Sequence, residues 1–209
     1  MDRFNLFGTP VATFVFDDTD ELNRELTSRL LAEAAASPGI QRSNHGGWHS
    51  TPDLSLRRDD CYQQLMQRVV HHVYLAFHEL AEAQGVAVVG EYTTGLQSWA
   101  MVMNDGDYAS IHDHAPAHWS VVYYVDAGDA DLAAHPKSGM FTLVDPRRAT
   151  AAIAGVDLFP SHFSIQPVTS MLVVFPGSVQ HFVHPYRGRR PRISVSCNAR
   201  LEQARIGGT

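Results

Sequence analysis

Apolar and polar positions alternate differently in the two parts of this chain. Asp18 or Thr19 can cap a helix in which Leu22, Leu26, Leu30 and Leu31 recur on one face, up to a break at Ser37-Pro38-Gly39. A second, longer helix is predicted from about Asp59 to Gln84, stopped by Gly85. Its apolar positions Leu65, Val69, Val70, Val73, Ala76, Phe77 and Leu80 form one stripe, which should lie against a flat surface. Val11 to Phe16 reads as a short strand ahead of the first helix. The run from Gln41 to Asp53 has the Gly, Ser, Asn and Pro content of an ordered loop.

After Gly85 the period changes from that of helices to that of strands. Short β-rich runs are expected at Val86–Val89, Thr94–Met103, Ser110–His112, Trp119–Val125, Met140–Val144, Met171–Phe175, Gln180–Val183 and Arg192–Ala199. Turns fall at Asn104-Asp105-Gly106-Asp107, Ala127-Gly128, Asp145-Pro146, Pro176-Gly177 and Gly188. The expected architecture is mainly β, a jelly roll braced by two N-terminal helices. The whole chain, 1–209, is expected to be one domain, with 1–85 as strand and bracing helices and 86–200 as the jelly-roll core.

Composition narrows the function classes. The chain has 209 residues, 44% hydrophobic and 18% charged, with a formal net charge of -6. An acidic balance argues against nucleic-acid and anionic-membrane partners, and the Arg187, Arg189, Arg190, Arg192 group is too local to reverse it. No run of about 18 apolar residues occurs, and the N-terminus lacks a signal-peptide pattern, so a cytoplasmic location is expected. The two cysteines, Cys61 and Cys197, have no metal-binding spacing.

Histidine stands out with 12 copies, and those after residue 110 carry the chemistry. His112 and His114 stand at i and i+2 at the mouth of a predicted strand, so both imidazoles point to the same face. His181, on a later strand, is placed to be the third ligand of one metal ion. Asp113 would join them only if a bulge re-aimed it. The last strand alternates strictly, with Arg192, Ser194, Ser196 and Asn198 on one face and Ile193, Val195 and Cys197 on the other. An edge strand on the surface could show this pattern. A polar lumen needs it too, and there Arg192 could bind a carboxylate bidentately, with Ser194 adding a hydroxyl.

In order and spacing, His112-Asp-His114, His181 and Arg192-Ile-Ser194 resemble the Fe(II)/2-oxoglutarate-dependent oxygenases, which carry His-x-Asp/Glu, a distal His and an Arg about ten positions on. The chain looks most like a bacterial group of small oxygenases of this kind. The matching segments are Leu6-Phe-Gly-Thr-Pro10, Arg42–Ser50, Ser98-Trp-Ala100, Gly106-Asp-Tyr108, Ser120–Val125, Phe175-Pro-Gly177 and Arg192–Ser196. His114 departs from the superfamily, where Asp or Glu is usual.

The resemblance implies a double-stranded β-helix that binds Fe(II) and 2-oxoglutarate as co-substrate. Arg192 and Ser194 would hold the distal carboxylate, with Arg190 as the competing cation and Tyr124 or Tyr123 as a phenol donor. O2 would be consumed with release of succinate and CO2, and hydroxylation is the expected outcome, with desaturation or cyclisation needing the same residues. No catalytic group beyond the metal ligands is assigned. The expected substrate is a small polar metabolite such as an amino acid or derivative, with Asn104, His118, Trp99 and Trp48 as candidate contacts and the Asn44–Ser50 loop as lid or wall. Two other readings stand beside it: a three-histidine dioxygenase of the cupin kind without a keto acid, and a non-catalytic jelly-roll binding protein. Oligomeric state is left open, a homodimer included.

Overall fold

Strands whose two faces differ in polarity must bury the apolar one, and here two layers form around that need. The computed structural model describes residues 8–147, 154–156 and 160–203. Strand β1 (Ala12–Val15) precedes helix α1 (Asp20–Ala36). The two-residue strands β2 (Asn44–His45) and β3 (Trp48–His49) come next, then helix α2 (Asp60–Ala83). Eight strands follow: β4 (Tyr92–Met103), β5 (Tyr108–His112), β6 (Trp119–Asp126), β7 (Phe141–Val144), β8 (His162–Ile165), β9 (Met171–Pro176), β10 (His181–Val183) and β11 (Arg192–Gln203). They build one sheet of order β1-β9-β6-β11-β4-β3 and another of order β2-β5-β10-β7-β8. Every described pairing between strands is antiparallel. From β4 to β11 the chain alternates between the sheets except at the β7–β8 hairpin, which stays within the smaller one, and the first and last strands pair, the order of a double-stranded β-helix.

Helices α1 and α2 cover the outer face of the larger sheet, as their stripes predict. Leu22, Leu26 and Leu30 of α1 and Leu65, Val69 and Val73 of α2 share one core with Val195 and Cys197 of β11. Leu26 is fully buried there, and Leu26→Ala would cost about 2–5 kcal/mol by cavity formation. Among the described residues, no helix is long and apolar enough to cross a membrane.

Three details differ from the sequence-based expectation, and a fourth falls partly outside the described residues. Val86–Val89 forms no strand: among the described residues β11 pairs β4 only as far as Gln203 opposite Tyr92, so no ladder is available to it. Val86 and Val89 are accordingly exposed. β8, with three of its four residues exposed, gave no clear apolar alternation to read. The Gln41–Asp53 loop contains β2 and β3, one on an edge of each sheet, which makes it a fixed wall rather than a lid. Of the segment Leu6–Pro10, Leu6 and Phe7 lie outside the described residues.

The join between α1 and the sheet is polar. Thr19 occupies the N-cap position without capping; its hydroxyl donates to Ser170 Oγ at 2.8 Å instead. Asn23 Nδ2 donates to the same oxygen at 2.9 Å, and Tyr123 Oη donates to Asn23 Oδ1 at 2.6 Å. All four residues are buried. Tyr123→Phe leaves the Asn23 carbonyl without its donor, so it should lower unfolding free energy by about 1–3 kcal/mol. Urea denaturation would show this as a lower midpoint at unchanged slope, and no loss would mean the bond contributes nothing net.

Candidate active site

Adjacent strands of the smaller sheet bring the histidines together. β10 pairs β5 with His181 directly across from His112, so these two imidazoles are cross-strand neighbours, their ring centroids 4.3 Å apart. β5 ends at His112, and His114 lies two residues beyond it. It is held by a backbone bond: its N–H donates to Gly177 O at 2.8 Å. Gly177 permits that approach, because a Cβ there would meet Ala117 O at 2.4 Å. The His114 ring then sits 5.0 Å from each of the other two.

One nitrogen from each of His112, His114 and His181 lies within 4.8 Å of the others, close enough to serve one metal ion. Carbonyl oxygens set the tautomers of two rings. His112 Nδ1 faces Ser110 O at 2.7 Å and His181 Nδ1 faces Val179 O at 2.9 Å, so each Nδ1 carries the proton and each Nε2 is free to donate its lone pair. Burial, reinforced by the mutual proximity of the rings, holds His114 down to about 4 and His181 to about 3, so both stay neutral at pH 7. His112 is lowered as well, by burial. Asp113 is exposed, and one of its carboxylate oxygens accepts from Ala115 N–H at 3.1 Å; it turns the loop outside the cluster.

Behind the histidines, the lumen ends on a buried cation. Arg192 is 2% exposed, with no carboxylate paired to it among the described residues and with its Nε unpartnered. Its guanidinium carbon lies 4.9 Å from the centroid of the Tyr124 ring, and Tyr124 Oη is also buried without a partner. Burial pushes the Tyr124 phenol up to about 12 against the opposing pull of Arg192, so it remains a neutral donor. Gly139, at φ +60°, lets the backbone pass the Arg192 stem, where a Cβ would stand 3.1 Å from Cδ. A buried guanidinium with no anion is costly unless a ligand supplies one. The donor set therefore suits a metal ion at the histidines and a carboxylate at Arg192, and both groups border one narrow cavity of about 60 Å³.

The remaining candidates divide by strand face. Ser194, Trp99 and Tyr124 line that cavity. Tyr123 does not: successive residues of β6 alternate faces, which sends its ring to the helices and to Asn23. Arg190 is outside as well, ion-paired with Asp126 at 3.0 Å on the surface. Asn104 lies at the far turn, where its backbone N–H bonds Asp107. His118 is exposed, and its Nδ1 accepts from Leu201 N–H at 3.0 Å.

Trp48 packs into the outer core, so its neighbour His49 is the residue that faces the lumen. His49 is buried, stacks on Trp99 at 5.8 Å and anchors its Nδ1 on Ser50 O at 2.6 Å. Sequence reasoning missed it by one position, because the register that pairs His49 with Met101 is set only when β3 docks on β4. Ser43, also missed, places its hydroxyl 3.4 Å from His112 Nε2.

Comparison with known proteins places this geometry. Residues 97–198 match the family model described as "Putative 2OG-Fe(II) oxygenase". No curated protein matches the chain in sequence. Among solved structures, a Pseudomonas putida prolyl-4-hydroxylase is similar at 16% identity and TM-score 0.57, with 91% of each chain covered. HygX from Streptomyces hygroscopicus, solved with nickel and 2-oxoglutarate bound, is similar at 11% identity and TM-score 0.57, covering 95% of this chain and 84% of that one. AviO1 from Streptomyces viridochromogenes gives 10% identity and TM-score 0.60, with 96% and 92% covered. At these identities the likeness establishes the fold, and the family match over the strands that carry the three histidines and the buried arginine supplies the chemistry. Residues 97–198 match the 2OG-Fe(II) oxygenase family, and this match together with the three-histidine cluster indicates a 2-oxoglutarate-dependent non-haem iron oxygenase.

Proposed function

We propose that His112, His114 and His181 hold Fe(II), that Arg192 takes the distal carboxylate of 2-oxoglutarate, and that the enzyme hydroxylates a small polar metabolite such as an amino acid or derivative. The observation that carries the co-substrate assignment is the buried, anion-free guanidinium of Arg192 beside the unpartnered Tyr124 hydroxyl. A cupin-type dioxygenase without a keto acid would leave that charge unanswered. When bound, iron and 2-oxoglutarate supply the oxidising chemistry, consuming O2 and yielding succinate and CO2.

The chain's own residues bind, orient and exclude water. The Ser110 and Val179 carbonyls aim the ligand nitrogens of His112 and His181. Phe141 and Phe175 pack against His181, at 5.4 and 4.9 Å, and shield it from solvent. Arg192, Ser194 and Tyr124 offer five guanidinium N–H groups and two hydroxyls around one end of the cavity, a match for a single carboxylate. Trp99, tilted against His114 at 5.3 Å, and His49 form the wall on the side of β3 and β4.

Anaerobic Fe(II) plus 2-oxoglutarate should give a visible metal-to-ligand charge-transfer band, and succinate should appear on admitting O2; absence of both ends this reading. Arg192→Ala should weaken 2-oxoglutarate binding by a factor of about 100 or more, the scale of breaking a buried charge pair, with iron still bound. Unchanged affinity would mean another group holds the carboxylate. His114→Asp should retain iron, since a carboxylate is an equally suitable ligand at this position; loss of the metal in titration would show that imidazole is required there.

The histidines also make a stability prediction for the metal-free protein. His114 and His181 ionise near 4 and 3 when folded and near 6.5 when unfolded, so the folded state disfavours the proton. Their contribution is fully present above pH 6.5 and is lost as pH falls from there toward 3. Thermal melts should show Tm dropping across that window, and His181→Gln should flatten the drop.

A further inference from the structure

β4 and β11 outrun the rest of their sheet. β6 pairs β11 only as far as Trp119 opposite Ala199, whereas β11 continues along β4 to Gln203 opposite Tyr92. Residues 200–203 and 92–95 therefore overhang the mouth of the barrel by about 13 Å, at roughly 3.3 Å per residue. His118 fastens the overhang: its N–H donates to Ala199 O at 3.1 Å and its Nδ1 accepts from Leu201 N–H at 3.0 Å.

The alternation of β11 continues onto this overhang, so Asn198, Arg200 and Glu202 share the face of Arg192, Ser194 and Ser196. Opposite Asn198 stands Gln97, and opposite Arg200 stands Gly95, which presents no side chain to crowd the guanidinium. A cleft of about 570 Å³ lies between this ribbon and the Asp113–Ala117 loop, bordered by Gln97, Asp113, Asn198, Arg200 and Glu202. That volume falls within the range of small-molecule sites, roughly 300–1,000 Å³. His114 borders both this cleft and the lumen cavity, so the cleft adjoins the histidine cluster. Among the described residues none of Asp113, Arg200 and Glu202 takes part in an ion pair.

The histidine cluster sits midway along the polar track. Trp99, whose ring touches His114, is paired with Ser196. Arg192 is four residues inward from that rung and Arg200 four residues outward, each about 13 Å along the strand. One arginine is buried in the lumen; the other is exposed and borders the cleft with Asp113 and Glu202.

We infer that this cleft seats the primary substrate and that the substrate is a small zwitterion, an amino acid or close derivative. Its carboxylate binds Arg200, its ammonium lies toward Asp113 and Glu202, and Gln97 and Asn198 take its remaining polar groups. The assignment rests on the proposed iron and 2-oxoglutarate site, because it is that site the cleft adjoins through His114.

The test uses the Fe(II)-loaded enzyme with 2-oxoglutarate and a panel of free L-amino acids, read by stimulated succinate release. Each responding amino acid is then compared with its carboxamide and its N-acetyl form. At least one free amino acid should stimulate release, and blocking either end should weaken its apparent affinity about tenfold or more, the scale of a lost charge-assisted hydrogen bond. In Arg200→Gln the KM of the free acid should rise similarly, and the preference for free acid over carboxamide should collapse toward one. The anaerobic charge-transfer band with 2-oxoglutarate alone is recorded on both proteins. If the band forms but no free amino acid stimulates, or the carboxamide performs as well as the acid, or Arg200→Gln keeps the preference, the inference is overturned while the iron site stands. If the band itself is missing, the underlying iron and 2-oxoglutarate reading fails and takes the inference with it.

Discussion

The β4–β11 ribbon is the constraint from which the rest of the structure follows. It runs twelve paired residues on each strand, and its two faces carry opposite chemistry. The face bearing Val102, Ile193, Val195 and Cys197 needs an apolar cover, which α1 and α2 supply. The other, bearing Trp99, Met101, Arg192 and Ser194, needs an enclosed polar space, which the smaller sheet supplies by folding over it. Once these faces are assigned, β5 and β10 must pass opposite the ribbon, and the histidines they carry meet beside Trp99.

Inside that space the largest electrostatic liability is the buried guanidinium of Arg192. Among the described residues, Arg192 loses its hydration without gaining a protein anion. The Tyr124 ring compensates in part through its π face, and Gly139 yields the room that the side chain occupies. An anionic ligand would relieve the remaining cost, which ties occupancy of the site to the stability of the barrel. The histidine cluster obeys a related logic: burial keeps the imidazoles neutral, the protonation state in which they can ligate a cation.

Alternation along single strands made much of this legible from residues alone. The i, i+2 spacing of His112 and His114, the polar face of Arg192-Ile-Ser194 and the apolar stripes of both helices rest on local geometry, which the chain carries everywhere. Misplacements arose where one residue of phase decided the face. Tyr123 and Tyr124 are equally plausible until β6 is docked, and Trp48 and His49 exchange inside for outside with the register of a two-residue strand. Val86–Val89 has strand-forming residues but, among the described residues, no neighbour to pair with, and strand formation is a property of pairs.

By itself the sequence pointed to the class of fold, the three imidazoles that cluster and the arginine that faces the lumen, because these depend on residue type and spacing within one or two elements. Tertiary structure alone decided that Asp113 and Arg190 stand outside, that His49 and Ser43 stand inside, and that Gly139 and Gly177 permit the close approaches on which Arg192 and His114 depend. Each of those outcomes is a contact between segments far apart in the chain. Such contacts follow from how the two sheets close on each other, which no local period encodes.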